Sequence, residues 1–386
     1  MNNKPAPAGE YKTGTATFSL YGDRNIACRI YYPVNRDVTE NLNKPRYMSP
    51  ELAKGLSKTL MFPISYNKIE KQGDNYSECF TDAPYIKGMK FPLIVFSHGA
   101  GGYRESNSFM CIELASRGYV VLCIAHPGLA ACVEYDNGTV AYAEKNLLHK
   151  TYDPYWKGVK ALMKLMKEKG SDRELAQRFD TFQKTYCGYL MNNILLWMDD
   201  TRRAVDYIKE NLSYMTDLDK GIGVTGHSFG GATAYALCQN DPEFVCGINI
   251  DGLLIGDHVG KVLKTPFLQI SCENNATLET RTYLEHTKPV FKVLFRDMEH
   301  LGFSDLKFAI PIKKVVGALP PDVLHENICR CHLEFFDTYL KRVKDCPELT
   351  NSDAVTVTEY QPDIRDHEKE SDHSQLLRCN FPDLQD

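Results

Sequence analysis

The 386-residue sequence has no excess of positive charge: 45 Lys and Arg residues face 50 Asp and Glu residues, and the formal net charge is -5. Nucleic-acid-binding proteins carry basic patches, so we expect no nucleic-acid partner. The sequence also lacks an apolar run near the roughly 20 residues that span a bilayer. Its first residues lack the apolar stretch of a secretion signal. These absences favour a cytoplasmic protein, or a secreted one if a presequence has been removed.

The 13 cysteines are an odd number and lie mostly inside apolar segments such as 121–124 and 244–246. That distribution favours reduced, buried thiols over a disulfide framework, and so a reducing compartment. The run Cys329-Arg-Cys331-His332 has helical spacing and no second ligand pair nearby. We therefore expect neither a metal nor a cofactor.

Apolar strands and helices alternate along most of the chain. Continuous apolar runs at 91–97 and 119–125, separated by a helical stretch at 105–117, indicate parallel strands buried on both faces. Further strands are predicted at 245–250, 266–272 and 290–295, after an N-terminal hairpin at 15–21 and 26–32. The alternation predicts an α/β fold with a mostly parallel central sheet and helices on both faces. We expect one domain over residues 1–350 and a polar C-terminal tail over 351–386, with one candidate strand at 354–358.

Residues 129–200 break this alternation. The segment is rich in Tyr, Lys and Met, and its second half is helical by pattern, at 155–169 and 174–198. A further amphipathic helix is predicted at 199–211. The segment reads as a helical insertion over the carboxyl edge of the strands, where a lid would sit, or equally as a packing layer.

A glycine-rich segment at 221–231 reads as a strand that enters a turn and then a helix. Within it, Gly226-His-Ser-Phe-Gly230 matches the G-x-S-x-G elbow, in which a strained turn exposes a serine hydroxyl. The following helix aims its first amides and its positive dipole end at the same place. Ser228 is therefore the candidate nucleophile.

A serine nucleophile needs a base and an orienting carboxylate, and in such folds the chain order is Ser, acid, His. Asp251 ends the strand after the elbow helix and is favoured as the acid over its rival, Glu273, which ends the next strand. His300 lies in the loop after the strand predicted at 290–295 and is the favoured base. The other downstream histidines fall on helices by pattern.

The developing oxyanion needs two amide donors. Phe229, directly after the nucleophile, is expected to provide one, and Ala100 in the glycine-rich loop His98–Gly102 the other. Gly99, Gly101 and His227 lie beside these donors and are predicted to bind substrate.

Four stretches of the sequence resemble the platelet-activating factor acetylhydrolases of the plasma and type II kind: 91–104, 113–121, 226–231 and 250–251. The resemblance extends from about residue 48 to about residue 340. It implies an α/β-hydrolase fold without a metal that acts on short or oxidised acyl chains of phospholipids. It also implies Ser228, Asp251 and His300 as the triad, which decides against Glu273, and Ala100 with Phe229 as the oxyanion donors.

The chain departs from the family where substrate would bind. The family tends to have His-Arg-Asp after its second buried strand, where this chain has His126-Pro-Gly128, and the insertion at 129–200 matches poorly.

The leading hypothesis is a serine carboxyl-ester hydrolase. The alternatives are a broad esterase or amidase on xenobiotic or polyester substrates, and a non-catalytic binding protein. Weak contact with a membrane surface through Tyr189–Trp197 is a further hypothesis.

Overall fold

Runs of buried aliphatic residues form the centre of the fold. A computed structural model describes residues 4–38, 42–59, 66–71, 77–144 and 157–362. The strands are β1 (Lys12–Leu20), β2 (Ile26–Val34), β3 (Phe80–Thr81), β4 (Phe91–Ser97), β5 (Val120–Ala125), β6 (Cys132–Glu134), β7 (Val140–Tyr142), β8 (Thr216–His227), β9 (Phe244–Ile250), β10 (Phe267–Cys272), β11 (Val290–Phe295) and β12 (Val355–Tyr360).

The helices lie between these strands. They are α1 (Pro50–Thr59), α2 (Tyr66–Glu70), α3 (Ser108–Ser116), α4 (Asp172–Tyr186), α5 (Gly188–Asn211), α6 (Phe229–Asn240), α7 (Leu306–Ala309), α8 (Lys313–Val316) and α9 (Pro321–Tyr339). Residues 157–165 are also helical. Short 3-10 helices occur at Arg36–Val38, Thr280–Tyr283 and His300–Phe303.

Ten strands form one sheet in the order β12-β11-β10-β9-β8-β4-β5-β2-β1-β3, and β6 and β7 form a separate hairpin. The central strands from β11 to β5 are parallel, whereas β12 at one side and β2 at the other are antiparallel to their neighbours. The register pairs Ser97 with Gly226 and Gly226 with Asn249. The carboxyl ends of β4, β8 and β9 therefore meet in one row. The mostly parallel α/β fold predicted from the sequence is confirmed.

Both faces of the sheet are covered. Alternate residues of β4 point to opposite sides, so Leu93 and Val95 join one buried cluster while Ile94 and Phe96 join another. The first cluster contains the inward faces of α5 and α6, and the second contains those of α3 and α9. This double cover explains why every residue of β4 is buried.

Three local predictions differ from the structure. The sequence predicts two helices, at 174–198 and 199–211. In the structure the break between the two helices is at Cys187, and α5 continues unbroken to Asn211. Gly188, a weak helix former, directly follows Cys187, where the structure has the break. The boundary predicted between residues 198 and 199 has no Gly or Pro near it. The segment 278–286, between the strands predicted at 266–272 and 290–295, is also helical by sequence pattern, but it forms only the 3-10 turn Thr280–Tyr283. Two β-branched threonines in this turn lower its helix propensity.

The sheet continues past residue 350. Val355–Tyr360 pairs antiparallel with β11 along its whole length, so the candidate strand in the predicted tail is an edge strand. The tail beyond residue 362, and the first residues of the helix predicted at 155–169, lie outside the described residues. The single-domain boundaries at 1–350 and 351–386 stay a prediction.

The insertion packs into the main core. Phe179, Phe182 and Leu190 belong to the same buried cluster as the sheet residues beneath them. Trp197 is completely buried, whereas its neighbours Leu195 and Leu196 are 62% and 43% exposed. In the described part of the chain, no helix combines the length and apolarity needed to cross a membrane. The predicted lid motion and membrane contact remain predictions.

Candidate active site

The turn after β8 carries Ser228 in a strained conformation. Its φ of 57° and ψ of -121° are rare for a residue with a side chain. The flanking glycines are sterically required, because a Cβ on Gly226 would lie 2.4 Å from the carbonyl carbon of Gly230, and one on Gly230 would lie 2.1 Å from the backbone oxygen of Ser97. The turn places Ser228 at the start of α6, as the elbow motif predicts.

Ser228, His300 and Asp251 meet at the carboxyl edge of the sheet. His300 Nε2 lies 2.9 Å from Ser228 Oγ, and His300 Nδ1 lies 2.6 Å from Asp251 Oδ2. A carboxylate only accepts, so Nδ1 carries the proton and Nε2 is left to accept from the serine hydroxyl. The side chain of His300 is 37% exposed, while that of Asp251 is fully buried. The imidazole of His300 thus has the Ser228 hydroxyl at one ring nitrogen and the Asp251 carboxylate at the other.

The carboxylate of Asp251 is surrounded by donors. Its Oδ1 accepts from the backbone N–H of Cys272 at 2.7 Å, and its Oδ2 accepts from Asn275 Nδ2 at 2.8 Å and from Cys272 Sγ at 3.4 Å. Burial, reinforced by the charge of Asp251, raises the pKa of the Cys272 thiol, which stays protonated and able to donate. The rival carboxylate Glu273 is exposed in the turn beyond β10. Sequence reasoning missed Cys272 and Asn275. Cys272 ends a strand already assigned to this edge, whereas Asn275 lies further on, in the turn after that strand.

A second carboxyl group, Glu279, lies behind Asp251. Burial and the charge of Asp251 raise the pKa of Glu279 well above its usual range. It contacts the hydroxyl of Ser271. This shift favours the protonated, uncharged form of Glu279 next to the charge of Asp251.

His227 supports the loop that carries the base. Its Nε2 lies 3.0 Å from the backbone oxygen of His300 and donates to it. Burial and the neighbouring His300 lower the pKa of His227 to about 3, so the ring is neutral. The side chain also lines the cavity, but its Nε2 proton is already engaged. Its predicted contact with substrate stays a prediction.

A cavity of about 370 Å³ opens over Ser228. Its walls include the predicted donors Ala100 and Phe229 and the predicted substrate-binding residues Gly99 and Gly101. Much of the remaining wall is apolar, with side chains from α1, α5, α7, the loop after β9 and the 3-10 helix His300–Phe303: Leu56, Leu190, Leu253, Ile255, Leu301 and Leu306. Such a wall suits a hydrocarbon chain.

The loop His98–Gly102, called here the oxyanion loop, is braced by backbone bonds. Gly101 N–H donates to Leu129 O at 2.7 Å, and Gly102 N–H donates to Gly99 O at 2.9 Å. A Cβ on Gly99 would lie 3.0 Å from the Cβ of Ser228, so the loop approaches the nucleophile closely. The Gly101 amide is thus already bonded, and Ala100 stays the predicted donor in this loop. Among the described residues, no group of three His, Cys, Asp or Glu side chains could hold a metal ion.

The sheet order, the serine elbow after β8 and the chain order Ser228, Asp251, His300 define the class of α/β hydrolases. Within that class, the chain belongs to the platelet-activating factor acetylhydrolase, isoform II family, whose family model matches residues 2–348. Membership in this family, expected from the sequence, is confirmed.

Individual relatives agree with this placement. The chain is 27% identical to the platelet-activating factor acetylhydrolase of Cavia porcellus, over 87% of this chain and 78% of that protein. It is 29% identical to the enzyme of the same name from Canis lupus familiaris, over 81% and 70% of the two chains. A ferulic acid esterase from Streptomyces cinnamoneus has a similar fold, with a TM-score of 0.69 and 20% identity over 92% of this chain and 98% of the other.

Proposed function

We propose that this protein is a serine carboxyl-ester hydrolase that removes short or oxidised acyl groups, including those at the sn-2 position of phospholipids. The observation that carries the proposal is the continuous hydrogen-bonded array from Ser228 Oγ through His300 to the buried Asp251. The names of the relatives, which include two platelet-activating factor acetylhydrolases, support the phospholipid ester as substrate.

The proposed reaction begins with proton transfer from Ser228 to His300 Nε2 as the serine oxygen attacks the acyl carbonyl. Asp251 stabilises the imidazolium that forms, because its Oδ2 accepts the Nδ1 proton at 2.6 Å. The N–H groups of Ala100 and Phe229 stabilise the negative charge on the carbonyl oxygen. His300 then protonates the leaving alcohol. Water, deprotonated by the same base, releases the acid from the acyl-enzyme and restores the serine.

The test is the substitution Ser228→Ala. The alanine has no hydroxyl to acylate, so we expect loss of p-nitrophenyl acetate hydrolysis and of labelling by a fluorophosphonate. Ser304→Ala is the matched control and should keep both. The Ser304 hydroxyl lines the same cavity and, among the residues that the structure describes, bonds only to Leu301 O at 2.8 Å. Full activity in Ser228→Ala would refute the mechanism. A panel of acetyl, butyryl and long-chain esters beside an acetylated phospholipid then defines the substrate.

A reducing compartment is part of the proposal. The twelve cysteines that the structure describes are all free thiols, and eleven of them are buried. Such thiols need no oxidising environment to fold, which favours the cytoplasm as the place of the reaction.

A further inference from the structure

His98 is a fully buried histidine at the start of the oxyanion loop, and the proposed reaction gives it no chemical step. Its two ring nitrogens have different partners. Nδ1 lies 2.7 Å from the backbone oxygen of Gly99, and Nε2 lies 3.1 Å from the backbone nitrogen of His126. The ring therefore connects the oxyanion loop to the end of β5.

These partners allow one tautomer. A carbonyl oxygen only accepts, so Nδ1 carries a proton, and the His126 amide only donates, so Nε2 carries none. Burial and the neighbouring His126 lower the pKa of His98 to about 3, and the ring is neutral at neutral pH. A proton on Nε2 would face the N–H of His126. The ring is thus a fixed donor toward Gly99.

His126 is itself held in place by a buried network. Its Nδ1 lies 2.9 Å from Asp200 Oδ2, and its Nε2 lies 3.1 Å from Ser97 Oγ. Its ring stacks on Trp197 with centroids 3.9 Å apart, and Trp197 also meets the edge of His98 at 5.0 Å. This Ser-His-Asp array resembles the catalytic one, but each member is at most 1% exposed, so substrate does not reach it. It acts as a scaffold for His98.

The bond from His98 sets the direction of one peptide group. Gly99 O accepts from His98 Nδ1 and from Gly102 N. No described peptide bond is cis, so the C=O of Gly99 and the N–H of Ala100 point in opposite directions from one planar unit. Holding the carbonyl against His98 turns the Ala100 N–H the other way.

We propose that His98 is a positioning residue that orients the Gly99–Ala100 peptide so that Ala100 N–H points at the oxyanion. The proposal rests on the proposed ester hydrolysis, in which Ala100 is a donor. Because an oxyanion bond strengthens in the transition state, loss of the orientation lowers kcat more than it changes KM. Loss of one donor costs about 10²–10³-fold in kcat, and since Gly102 N–H still holds Gly99 O, we expect a fall of about 10- to 100-fold.

The test compares two half-isosteres of the ring. The Gln amide of His98→Gln reaches the Nε2 position, where it can accept from His126 but cannot donate to Gly99 O. The Asn amide of His98→Asn reaches the Nδ1 position and keeps that donor. The readout is the ratio of kcat/KM for p-nitrophenyl acetate to that for its thionoester. Sulfur is a weak hydrogen-bond acceptor, so a functioning oxyanion site favours the oxygen ester, and the ratio does not depend on the fraction of folded enzyme.

We expect His98→Gln to lower this ratio by about tenfold or more and His98→Asn to stay within about threefold of the wild type. The matched control is His332→Gln. His332 is also fully buried and bonds a backbone oxygen through Nδ1, that of Ile328 at 2.8 Å, but it lies on α9 and does not line the cavity. Its substitution should leave the ratio unchanged. Equal ratios in His98→Gln and the wild type would overturn the proposal.

A measurement on the wild type decides the matter if the variants do not fold. In a crystal structure with a bound trifluoromethyl ketone, the ketone oxygen should lie within about 3.1 Å of Ala100 N while His98 Nδ1 still bonds Gly99 O. A reversed Gly99–Ala100 peptide would contradict the role of His98. Wild-type protein that hydrolyses neither ester would instead contradict the proposed function.

Discussion

At the scale of single residues, the site depends on which atoms can donate and which can accept. Asp251 can hold His300 in the required tautomer only because a carboxylate has no proton to give. Asn275, which donates to the same oxygen at 2.8 Å, and the Cys272 amide fix the direction of the carboxylate. A side chain of the same shape that carries hydrogen-bond donors would therefore not replace Asp251.

Asp251→Asn tests this dependence. The new amide can direct N–H toward His300 Nδ1, so the ring is stabilised with its proton on Nε2, where it cannot accept from Ser228. We expect kcat for p-nitrophenyl acetate to fall by about 10³–10⁴-fold with little change in KM.

Glu273→Gln is the matched control, because it removes the exposed rival carboxylate and should leave kcat unchanged. A larger loss in Glu273→Gln than in Asp251→Asn would reverse the assignment of the acid.

At the scale of elements, α5 joins the insertion to the sheet beneath the site. Its Leu190 lines the cavity, and its Trp197 packs edge-on against Phe229 with centroids 4.7 Å apart. One turn further along, Asp200 accepts from His126 and from Arg24 Nε at 2.9 Å. A packing layer depends on such buried bonds, whereas a mobile lid would have to break them.

Asp200→Ala separates these two descriptions. It leaves the Nδ1 proton of His126 buried without an acceptor and removes the partner of Arg24. For a packing layer, we expect the free energy of unfolding to fall by about 3–5 kcal/mol in urea denaturation. Asp199→Ala on the same helix is the control. That side chain is 67% exposed and pairs with Arg202 at the surface, so its loss should cost less than about 1 kcal/mol. Equal, small costs would favour the lid.

At the scale of the whole molecule, stability depends on histidines that are buried without charge. Burial lowers the pKa of His332 from 6.5 to about 4. As pH falls below 6.5, the unfolded chain takes up a proton at this position while the folded chain does not. The free energy of unfolding therefore falls with decreasing pH, and this loss ends only near the folded pKa.

His332→Gln removes that titration. At 1.36 kcal/mol per pKa unit, the wild type loses about 2 kcal/mol through His332 between pH 6.5 and 5. We therefore expect the stability difference between the wild type and the variant to shrink by about that amount from pH 7.5 to 5, measured by urea unfolding. The comparison cancels the contributions of other titratable groups to the pH dependence. One of them is Asp305: burial raises its pKa to about 8, so its contribution to stability has the opposite sign. A difference that stays constant with pH would refute the assignment.

Features with a local chemical cause could be predicted from the sequence. A strand buried on both faces must be apolar throughout, so β4 and β5 were found from their composition. The serine elbow is recognisable by its flanking glycines, which avoid collisions with neighbouring backbone. Asp251 and His300 are found because each lies at or just after the end of a predicted strand. The structure brings these three side chains together, while their roles in catalysis remain predictions to be tested.

Features that depend on contacts between distant segments could not be predicted. Nothing near His98 in the chain indicates that His126 and Asp200 hold its ring. Asn275 becomes a partner of Asp251 only when the turn after β10 folds back. The break at Cys187 and the short turn at 280–283 have only weak local signals, Gly188 and two threonines, which do not outweigh the helical pattern of the surrounding sequence.

The position of β12 affects the order in which the sheet can be completed on the ribosome. β11 leaves the ribosome well before Val355–Tyr360, its antiparallel partner at the edge of the sheet. Until β12 is synthesised, the nascent chain presents an unpaired row of backbone N–H and C=O groups on β11, the kind of edge to which other chains add. The segment Val355–Tyr360 thus covers the exposed edge of β11 and becomes the edge strand itself, although every residue of the proposed triad has been made before it.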